Sequence, residues 1–241
     1  MASTAVLPKA RLVERKDITE DLMTIGLEPE RGPFVFKPGQ YCTLGLEGIE
    51  RAYSIVSAPH EPLLEIFLEL VPDGALTPLM WKMKVGDEMS VRPRPKGIFT
   101  MDRKYHHHYM LSTVTGVAPF VSFIRDYLHH GGEGHKFYLM MGASYTNEFA
   151  YEEELTALAG QHPEDVIFVP TVSRPDDARN AGWSGAKGRV NAISGEYLKR
   201  FDLPMDDTMV YACGHPGMIE AVKAELLPQG WKYKEERFWK E

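Results

Sequence analysis

The sequence predicts two regions of different fold class, a small antiparallel β-barrel followed by an α/β region built on a parallel sheet. Up to about residue 104, short runs rich in Val, Ile, Leu and Phe are separated by Pro or Gly at spacings typical of antiparallel strands. From about residue 106, strand-like runs alternate with helix-like runs, which is typical of βαβ units. At 241 residues, 44% hydrophobic and 25% charged, the chain is long enough for one large domain or two modest ones. We expect two domains, at 1–104 and 105–241, joined by a short connection.

Several runs predict the elements of the first region. The strand-like runs are FVFKPGQYCTLGLEG, RAYSIVS, LLEIFLELVPDG and GDEMSVRPRPKG. The intervening ALTPLMWKMKVG has enough helix-forming residues for a short helix. We expect Thr77 to cap this helix and Pro78 to occupy its first position.

Strand and helix patterns follow one another through the second region. HHHYMLSTV precedes PFVSFIRDYLHHGG, KFYLMMGAS precedes EFAYEEELTALAG, MVYACG precedes HPGMIEAVKAELLPQG, and DVIFVPTVSR is a further strand. Ligands of a parallel sheet bind at the carboxyl ends of its strands, so this region is a candidate nucleotide-binding domain. The histidine run 106–108 is not spaced like a zinc site, and we expect a partly exposed start of a strand there and no metal.

Composition excludes several classes of protein. No apolar run approaches the roughly 20 residues of a membrane span, and the N-terminus lacks the apolar core of a secretory signal, so we expect a cytoplasmic protein. The two cysteines, Cys42 and Cys213, are too few for a disulfide framework or an iron–sulfur cluster. Any redox chemistry therefore requires another cofactor. The net charge of −7 argues against general nucleic-acid binding.

The charge is unevenly distributed along the chain. Between Trp81 and Tyr105, seven Lys and Arg residues stand against three Asp and Glu residues, a net charge of +4. The cations are Lys82, Lys84, Arg92, Arg94, Lys96, Arg103 and Lys104. The segment is either a basic docking surface or a solvated face of mixed charge.

The stretch RAYSIVS places a charge beside an aromatic ring. Alternate side chains of a strand project to the same side, so Arg51 and Tyr53 share a face. The pair could be a surface arginine lying on a tyrosine, or a ligand-binding pair.

Two turns in the second region can bind an anion or a substrate ring. In STVTGVAPF, Thr113, Thr115 and Gly116 follow a strand and Pro119 starts a helix, whose N-terminus attracts anions. In YACGHPGMIEAV, Cys213 and Gly214 lie at the end of the last apolar strand. The cysteine is either a small buried hydrophobic residue or a contact for a substrate ring.

Taken together, these motifs resemble the ferredoxin–NADP reductase family, and most closely its bacterial ferredoxin/flavodoxin–NADP reductases. RAYS, VGD, KGIFT, TGVAPF, ACGHPGMI and an aromatic pair FW near the C-terminus occur in the family's order and spacing over nearly the whole chain. The resemblance implies a six-stranded FAD-binding β-barrel, an NADP(H)-binding α/β domain and a C-terminal tail that reaches the flavin.

The resemblance also implies which residues contact FAD. Arg51 would bind the pyrophosphate, Tyr53 would pack on the isoalloxazine, and Ser54 would lie near the reactive N5 although simple alternation puts it on the opposite face. Phe238 would cover the flavin where nicotinamide arrives, and Trp239 would pack on the adenine, unless the two only anchor a final strand. The other implied FAD contacts are Ala52, Phe67, Leu68, Ala75, Leu76, Thr77 and Thr115.

Contacts with NADP follow from the same resemblance. Cys213 would line the nicotinamide pocket in a steric role, and Ser54, Cys213 and Phe238 would surround the reacting atoms. Arg174 and Arg189 would bind the 2′-phosphate that distinguishes NADP from NAD, or they are solvated loop arginines. The remaining implied contacts are Thr113, Gly116, Ser173 and Gly214.

Three positions depart from the family pattern. Val114 stands where the family turn usually has glycine, which adds a side chain where the backbone approaches the coenzyme. Ser144 stands where some relatives have another coenzyme arginine. The chain also runs past the aromatic pair with Lys240 and Glu241.

The implied reaction is hydride transfer from NADPH to FAD, followed by single-electron steps to ferredoxin or flavodoxin, or the reverse. We expect an acidic partner to dock near Lys82, Lys84 and Arg103. Two alternatives remain. One is a free-flavin reductase or oxygenase reductase component of the same fold, and the other is a flavin-binding relay subunit that does not use a pyridine nucleotide.

Overall fold

The computed structural model describes residues 7–132 and 134–237, and the chain divides into two compact units. The first unit ends at Thr100 and the second begins at Met101. Within the described ranges, no helix is long and apolar enough to cross a membrane.

The first unit is a six-stranded antiparallel sheet with one short helix. Its elements are β1 (Lys9–Asp17), β2 (Leu22–Pro29), β3 (Tyr41–Leu46), β4 (Ile49–Ser54), β5 (Leu64–Glu69), α1 (Thr77–Met80) and β6 (Glu88–Val91). The strand order is β4-β3-β6-β1-β2-β5, and every neighbouring pair is antiparallel.

This sheet closes on itself. Just beyond the end of β4, Ile55 forms an antiparallel bridge with Ile66 of β5, and the N–H of Val56 donates to the carbonyl of Glu65 at 2.9 Å. The first and last strands of the sheet therefore meet, which confirms the predicted β-barrel. Its interior is filled by alternating apolar side chains, among them Leu12, Ile25, Leu27, Leu44, Ile66 and Met89.

The predicted cap of the short helix was wrong. The residue that precedes α1 is Leu76, Thr77 is the first helical residue, and Pro78 is the second. The Thr77 hydroxyl accepts a hydrogen bond from the N–H of Val71 at 2.9 Å and donates to the Val71 carbonyl at 3.2 Å. Because this hydroxyl closes the 71–77 turn, it does not cap the helix N-terminus.

The second unit contains a six-stranded sheet in which all neighbouring strands are parallel. Its elements are β7 (His107–Thr113), α2 (Ala118–His129), β8 (Lys136–Ala143), α3 (Glu152–Gln161), β9 (Val166–Val172), β10 (Ala186–Lys187), α4 (Val190–Arg200), β11 (Thr208–Gly214), α5 (Pro216–Leu226) and β12 (Lys232–Arg237). The strand order is β10-β9-β8-β7-β11-β12. The predicted alternation of strands and helices is confirmed, and the carboxyl ends of β7, β8, β9 and β11 lie at one edge.

The histidine run lies at the opposite, amino-terminal edge of this sheet. His106 is exposed and precedes β7, His107 is half-buried, and His108 is fully buried against Phe137. No group of three or more potential metal ligands occurs among residues 7–132 and 134–237.

Candidate functional site

The turns that follow β7 and β11 are in direct contact. The backbone N–H of His215 donates to the Thr113 hydroxyl at 2.8 Å. A Cβ atom added to Gly214 would lie 2.3 Å from that hydroxyl oxygen, and one added to Gly116 would lie 2.2 Å from the Cys213 carbonyl oxygen. The two turns therefore pack backbone against backbone, and neither glycine could carry a side chain without movement.

Val114 adopts a strained conformation in the first of these turns. Its φ is +42°, in the left-handed region that β-branched residues rarely occupy. The turn continues as a 3-10 helix over Val114–Val117 into α2, with Pro119 in the first turn of that helix. The valine thus retains the backbone shape of a glycine turn and adds a half-buried side chain to it.

Cys213 is fully buried at the end of β11. Burial, and secondarily the charge of Glu236, raise the pKa of its thiol well above the ordinary value, so the thiol remains protonated. A protonated, buried thiol is a poor nucleophile. This environment suits a shaping role rather than a covalent one.

Glu236 is a candidate that sequence reasoning missed. It pairs with Cys213 in the β11–β12 register, and burial raises the pKa of its carboxyl group to about 7. Its buried Oε2 atom has no hydrogen-bond partner within the described part of the chain. A carboxyl group of this kind can hold or release a proton near neutral pH. The available signal was an acidic residue two positions before the terminal aromatic pair.

Arg174 and Arg189 lie just beyond the carboxyl ends of the parallel strands β9 and β10, and therefore at the same edge of the sheet. The Val172 carbonyl accepts from the N–H of Gly188 at 2.8 Å, and Arg174 and Arg189 each follow this pair by one or two residues. Both side chains belong to exposed residues. Arg174 forms no ion pair with any residue that the structure describes.

Tyr145 joins Arg174 to a second arginine that the sequence did not single out. Arg174 and Arg179 both donate to the Tyr145 hydroxyl. The Cζ atom of Arg179 lies 3.4 Å from the centroid of the Tyr145 ring. Sequence reasoning missed this contact because Arg179 and Tyr145 are far apart in the chain.

The barrel presents the RAYS stretch as alternation predicts. The β3–β4 register pairs Leu44 with Arg51 and Cys42 with Tyr53, so Arg51 and Tyr53 share a face of β4. Arg51 is exposed, and its guanidinium donates to the Glu50 carbonyl at 2.7 Å. Burial raises the pKa of the half-buried Tyr53 to about 12. Ser54 is buried on the opposite face.

The structure brings some of the remaining predicted FAD residues close to this stretch. Ser54 and Phe67 directly flank the bridge between Ile55 and Ile66. Of the other predicted contacts, Ala52 and Ala75 are exposed, whereas Phe67, Leu68, Leu76, Thr77 and Thr115 are buried. The predicted aromatic contacts Phe238 and Trp239 lie outside the described residues.

The chain is similar to known proteins over residues of both units. Residues 110–224 match the profile of the oxidoreductase NAD-binding domain. Over 216 residues the chain is 35% identical to the ferredoxin–NADP reductase of Pseudomonas aeruginosa, an alignment that spans 82% of this chain and 80% of that protein. The chain belongs to the ferredoxin–NADP reductase family.

Two further comparisons are with members of the ferredoxin–NADP reductase family. The flavodoxin/ferredoxin–NADP reductase of Escherichia coli is 32% identical over 197 residues, with 76% of each chain covered. A Neisseria gonorrhoeae ferredoxin NADP+ reductase structure with bound FAD and NADP superposes with a TM-score of 0.81 at 26% identity. That superposition covers 96% of this chain and 98% of the other.

Proposed function

We propose that the protein transfers electrons between NADPH and a ferredoxin or flavodoxin through bound FAD, and that it does so in the cytoplasm, as the sequence led us to expect. The main support is that the chain aligns with a ferredoxin–NADP reductase over about four-fifths of both lengths, so that flavin barrel and coenzyme domain are both present. When bound, FAD accepts two electrons as a hydride and releases them one at a time, which no side chain can do.

The barrel residues fit FAD. Arg51 is exposed and offers a forked cationic donor to a pyrophosphate, while Tyr53 on the same face offers a flat wall to the flavin ring. Ala52 and Ala75 would contribute small exposed contacts, and the buried Ser54, Phe67, Leu68, Leu76 and Thr77 would shape the site from behind. Thr115, Phe238 and Trp239 complete the proposed flavin contacts on the resemblance to relatives.

The second unit fits NADP. The packed turns at Gly116 and Gly214 expose backbone close to the ends of β7 and β11, where Thr113 and Ser173 can contact the coenzyme. Cys213 would shape the nicotinamide pocket, and the carboxyl group of Glu236, whose pKa burial raises to about 7, would lie next to it. Arg174 and Arg189 would bind the 2′-phosphate.

An acidic partner would dock near Lys82, Lys84 and Arg103. All three residues are exposed, and none of them takes part in the ion pairs found among the described residues. Arg92 of the same basic segment is less suited, because both of its guanidinium contacts are made with Glu50, at 2.8 and 2.6 Å. The unpaired cations would accelerate encounter with an acidic protein.

A salt titration separates this function from its alternatives. NADPH-dependent reduction of ferredoxin or flavodoxin should fall steeply as ionic strength rises, whereas reduction of a neutral small acceptor should change little. A free-flavin reductase would reduce free flavin faster than it reduces ferredoxin or flavodoxin. In a relay subunit, NADPH would not reduce the bound flavin, whichever acceptor is present.

A further inference from the structure

Two arginines of the second unit converge on one tyrosine hydroxyl. Arg174, just after β9, and Arg179, five residues later, both donate to the oxygen of Tyr145. The guanidinium of Arg179 also lies on the Tyr145 ring, with Cζ 3.4 Å from its centroid, and that of Arg174 lies 5.2 Å away. Two cations that share one acceptor oxygen repel each other, so an anion bound close to both would be stabilised.

Buried hydrogen bonds hold this loop in place. Asn180 is only 2% exposed, and its side-chain amide donates to the carbonyls of Ser144 at 2.9 Å and Arg174 at 2.8 Å. Its side-chain oxygen accepts from the N–H of Thr146 at 2.9 Å. The loop after β9 is thereby tied to the loop after β8, so the backbone that carries Arg174 and Arg179 is held in place before a ligand binds.

The local charge is only partly compensated. Arg179 forms a bidentate contact with Asp177: its Nε donates to Oδ1 and its Nη2 donates to Oδ2, both at 3.1 Å. Arg174 forms no ion pair within the described residues, although its charge helps to lower the pKa of Asp177. The exposed Arg189 directly follows Gly188, whose N–H donates to the Val172 carbonyl. The charge of Glu148 also acts on Arg179, so Asp177 and Glu148 partly balance the three arginines.

We propose that Arg179 is a third cation of the 2′-phosphate site, and that Arg174 and Arg179, aligned by Tyr145, grip one phosphate monoester between them. The inference rests on the proposed function, which places the 2′-phosphate of NADP at Arg174 and Arg189. A phosphate monoester carries close to two negative charges and three acceptor oxygens, which matches two adjacent guanidinium forks. Arg179 remains 60% exposed in its side chain, so donors are available to a ligand.

Another arginine–tyrosine stack in the same unit provides a matched control. The Cζ atom of Arg200 lies 5.5 Å from the centroid of the Tyr197 ring at the end of α4. No second arginine shares that tyrosine among the described residues. A variant of Arg200 therefore removes a stacked surface cation without touching the proposed phosphate site.

Calorimetric titration of the FAD-bound protein with adenosine 2′,5′-bisphosphate and with 5′-AMP tests the inference. The wild type should prefer the bisphosphate. Arg179→Gln should weaken bisphosphate binding about tenfold and 5′-AMP binding less than twofold, since one charge-assisted contact is lost. Arg174→Gln should do the same, and Arg200→Gln should leave both affinities unchanged.

The outcomes separate this inference from the function on which it rests. If Arg174→Gln abolishes the preference and Arg179→Gln retains it, the role of Arg179 is wrong and the proposed coenzyme stands. If the wild type binds both nucleotides equally, the assignment of NADP fails and the inference fails with it. If Arg200→Gln weakens the bisphosphate as much as Arg179→Gln does, the effect is one of general surface charge and the inference is overturned.

Discussion

The Thr113 hydroxyl accepts a hydrogen bond from the backbone N–H of His215 at 2.8 Å, which fastens the end of β7 to the start of α5. The residues that it joins are far apart in the sequence, and both belong to turns at the carboxyl-terminal edge of the parallel sheet, where such sheets bind ligands. Through this bond the position of one turn fixes the position of the other.

Replacing Thr113 with valine should therefore loosen both turns. The side chain keeps its shape but no longer accepts from His215, so we expect a loss of about 1 kcal/mol in the free energy of unfolding. Weaker binding of NADP should accompany this loss. Chemical denaturation and coenzyme titration measure the two effects. Thr113→Ser, which keeps the acceptor, is the control, and equal effects of both substitutions would show that the bond is unimportant.

Replacing Val114 with glycine should stabilise the folded protein. At φ +42° its β-branched side chain is strained, and glycine relieves that strain at the cost of a more flexible unfolded chain. We expect Val114→Gly to raise the free energy of unfolding by about 1 kcal/mol. Thermal denaturation of the FAD-bound protein measures the change. A lower melting temperature would mean that contacts of the valine side chain outweigh its backbone strain.

His108 should make the protein sensitive to acid. Burial, aided by the neighbouring His135 and His107, lowers its pKa to about 3, and its buried Nδ1 has no hydrogen-bond partner in the described part of the chain. The Nδ1 of His135 lies 3.0 Å from the Tyr105 carbonyl and 3.1 Å from His108 Nε2. A carbonyl can only accept, so the Nδ1 of His135 carries a proton, which it shares between the Tyr105 carbonyl and the Nε2 of His108. Because His108 Nε2 then faces an N–H group, a second proton on the His108 ring is disfavoured.

Because the pKa of His108 is lowered in the folded protein, the free energy of unfolding should fall as the pH falls. Between the ordinary histidine pKa of about 6.5 and the folded value of about 3, the unfolded chain binds a proton that the folded chain does not. The contribution of His108 to stability is therefore complete above pH ~6.5 and declines as the pH falls, by roughly 2 kcal/mol at pH ~5.

His108→Phe should flatten this decline, since the ring then has no proton to gain. Urea denaturation of both proteins from pH 7 to pH 5 measures the difference between their free energies of unfolding. The difference should move in favour of the variant as the pH falls. A difference that does not vary with pH would show that His108 does not titrate on unfolding in this range.

Charge reversal tests the proposed docking of an acidic partner near Lys82, Lys84 and Arg103. Replacing Lys82, Lys84 and Arg103 with glutamate should slow reduction of an acidic protein partner by tenfold or more at low salt, since attraction becomes repulsion. Reduction of a neutral small acceptor should stay nearly constant. Reversal of Lys199 and Arg200, at the end of α4, is the matched control. Equal slowing with both acceptors would place the effect at the flavin rather than at docking.

Much of the fold was predictable because local patterns and tertiary structure agree. The strand–helix alternation of the second unit follows from apolar runs that are buried in the parallel sheet, such as MVYACG in β11. The shared face of Arg51 and Tyr53 follows from strand alternation alone. The runs quoted from the sequence did not include β1, β2, β10 or the helix α4. The edge strand β12, KYKEER, entered only as an alternative for the aromatic pair, because it is polar and lacks an apolar run.

What escaped prediction depends on contacts between distant residues. The Thr77 hydroxyl looked like a helix cap, but its partner is the backbone of Val71 in the preceding turn. Glu236 is unusual only because β12 brings it beside Cys213 and buries it. Arg179 is an ordinary loop arginine until Asn180 ties its loop to the end of β8. No local pattern in the sequence contains these pairings.

Electron transfer from NADPH through FAD to a one-electron partner is tested by anaerobic stopped-flow mixing of the FAD-loaded protein with NADPH and with NADH, followed by mixing with ferredoxin or flavodoxin. We expect NADPH to bleach the flavin absorbance much faster than NADH does. The one-electron partner should then restore the absorbance, with two partner molecules reduced for each flavin. Equal bleaching by both coenzymes, or a reduced flavin that the partner cannot reoxidise, would contradict this route of electron transfer.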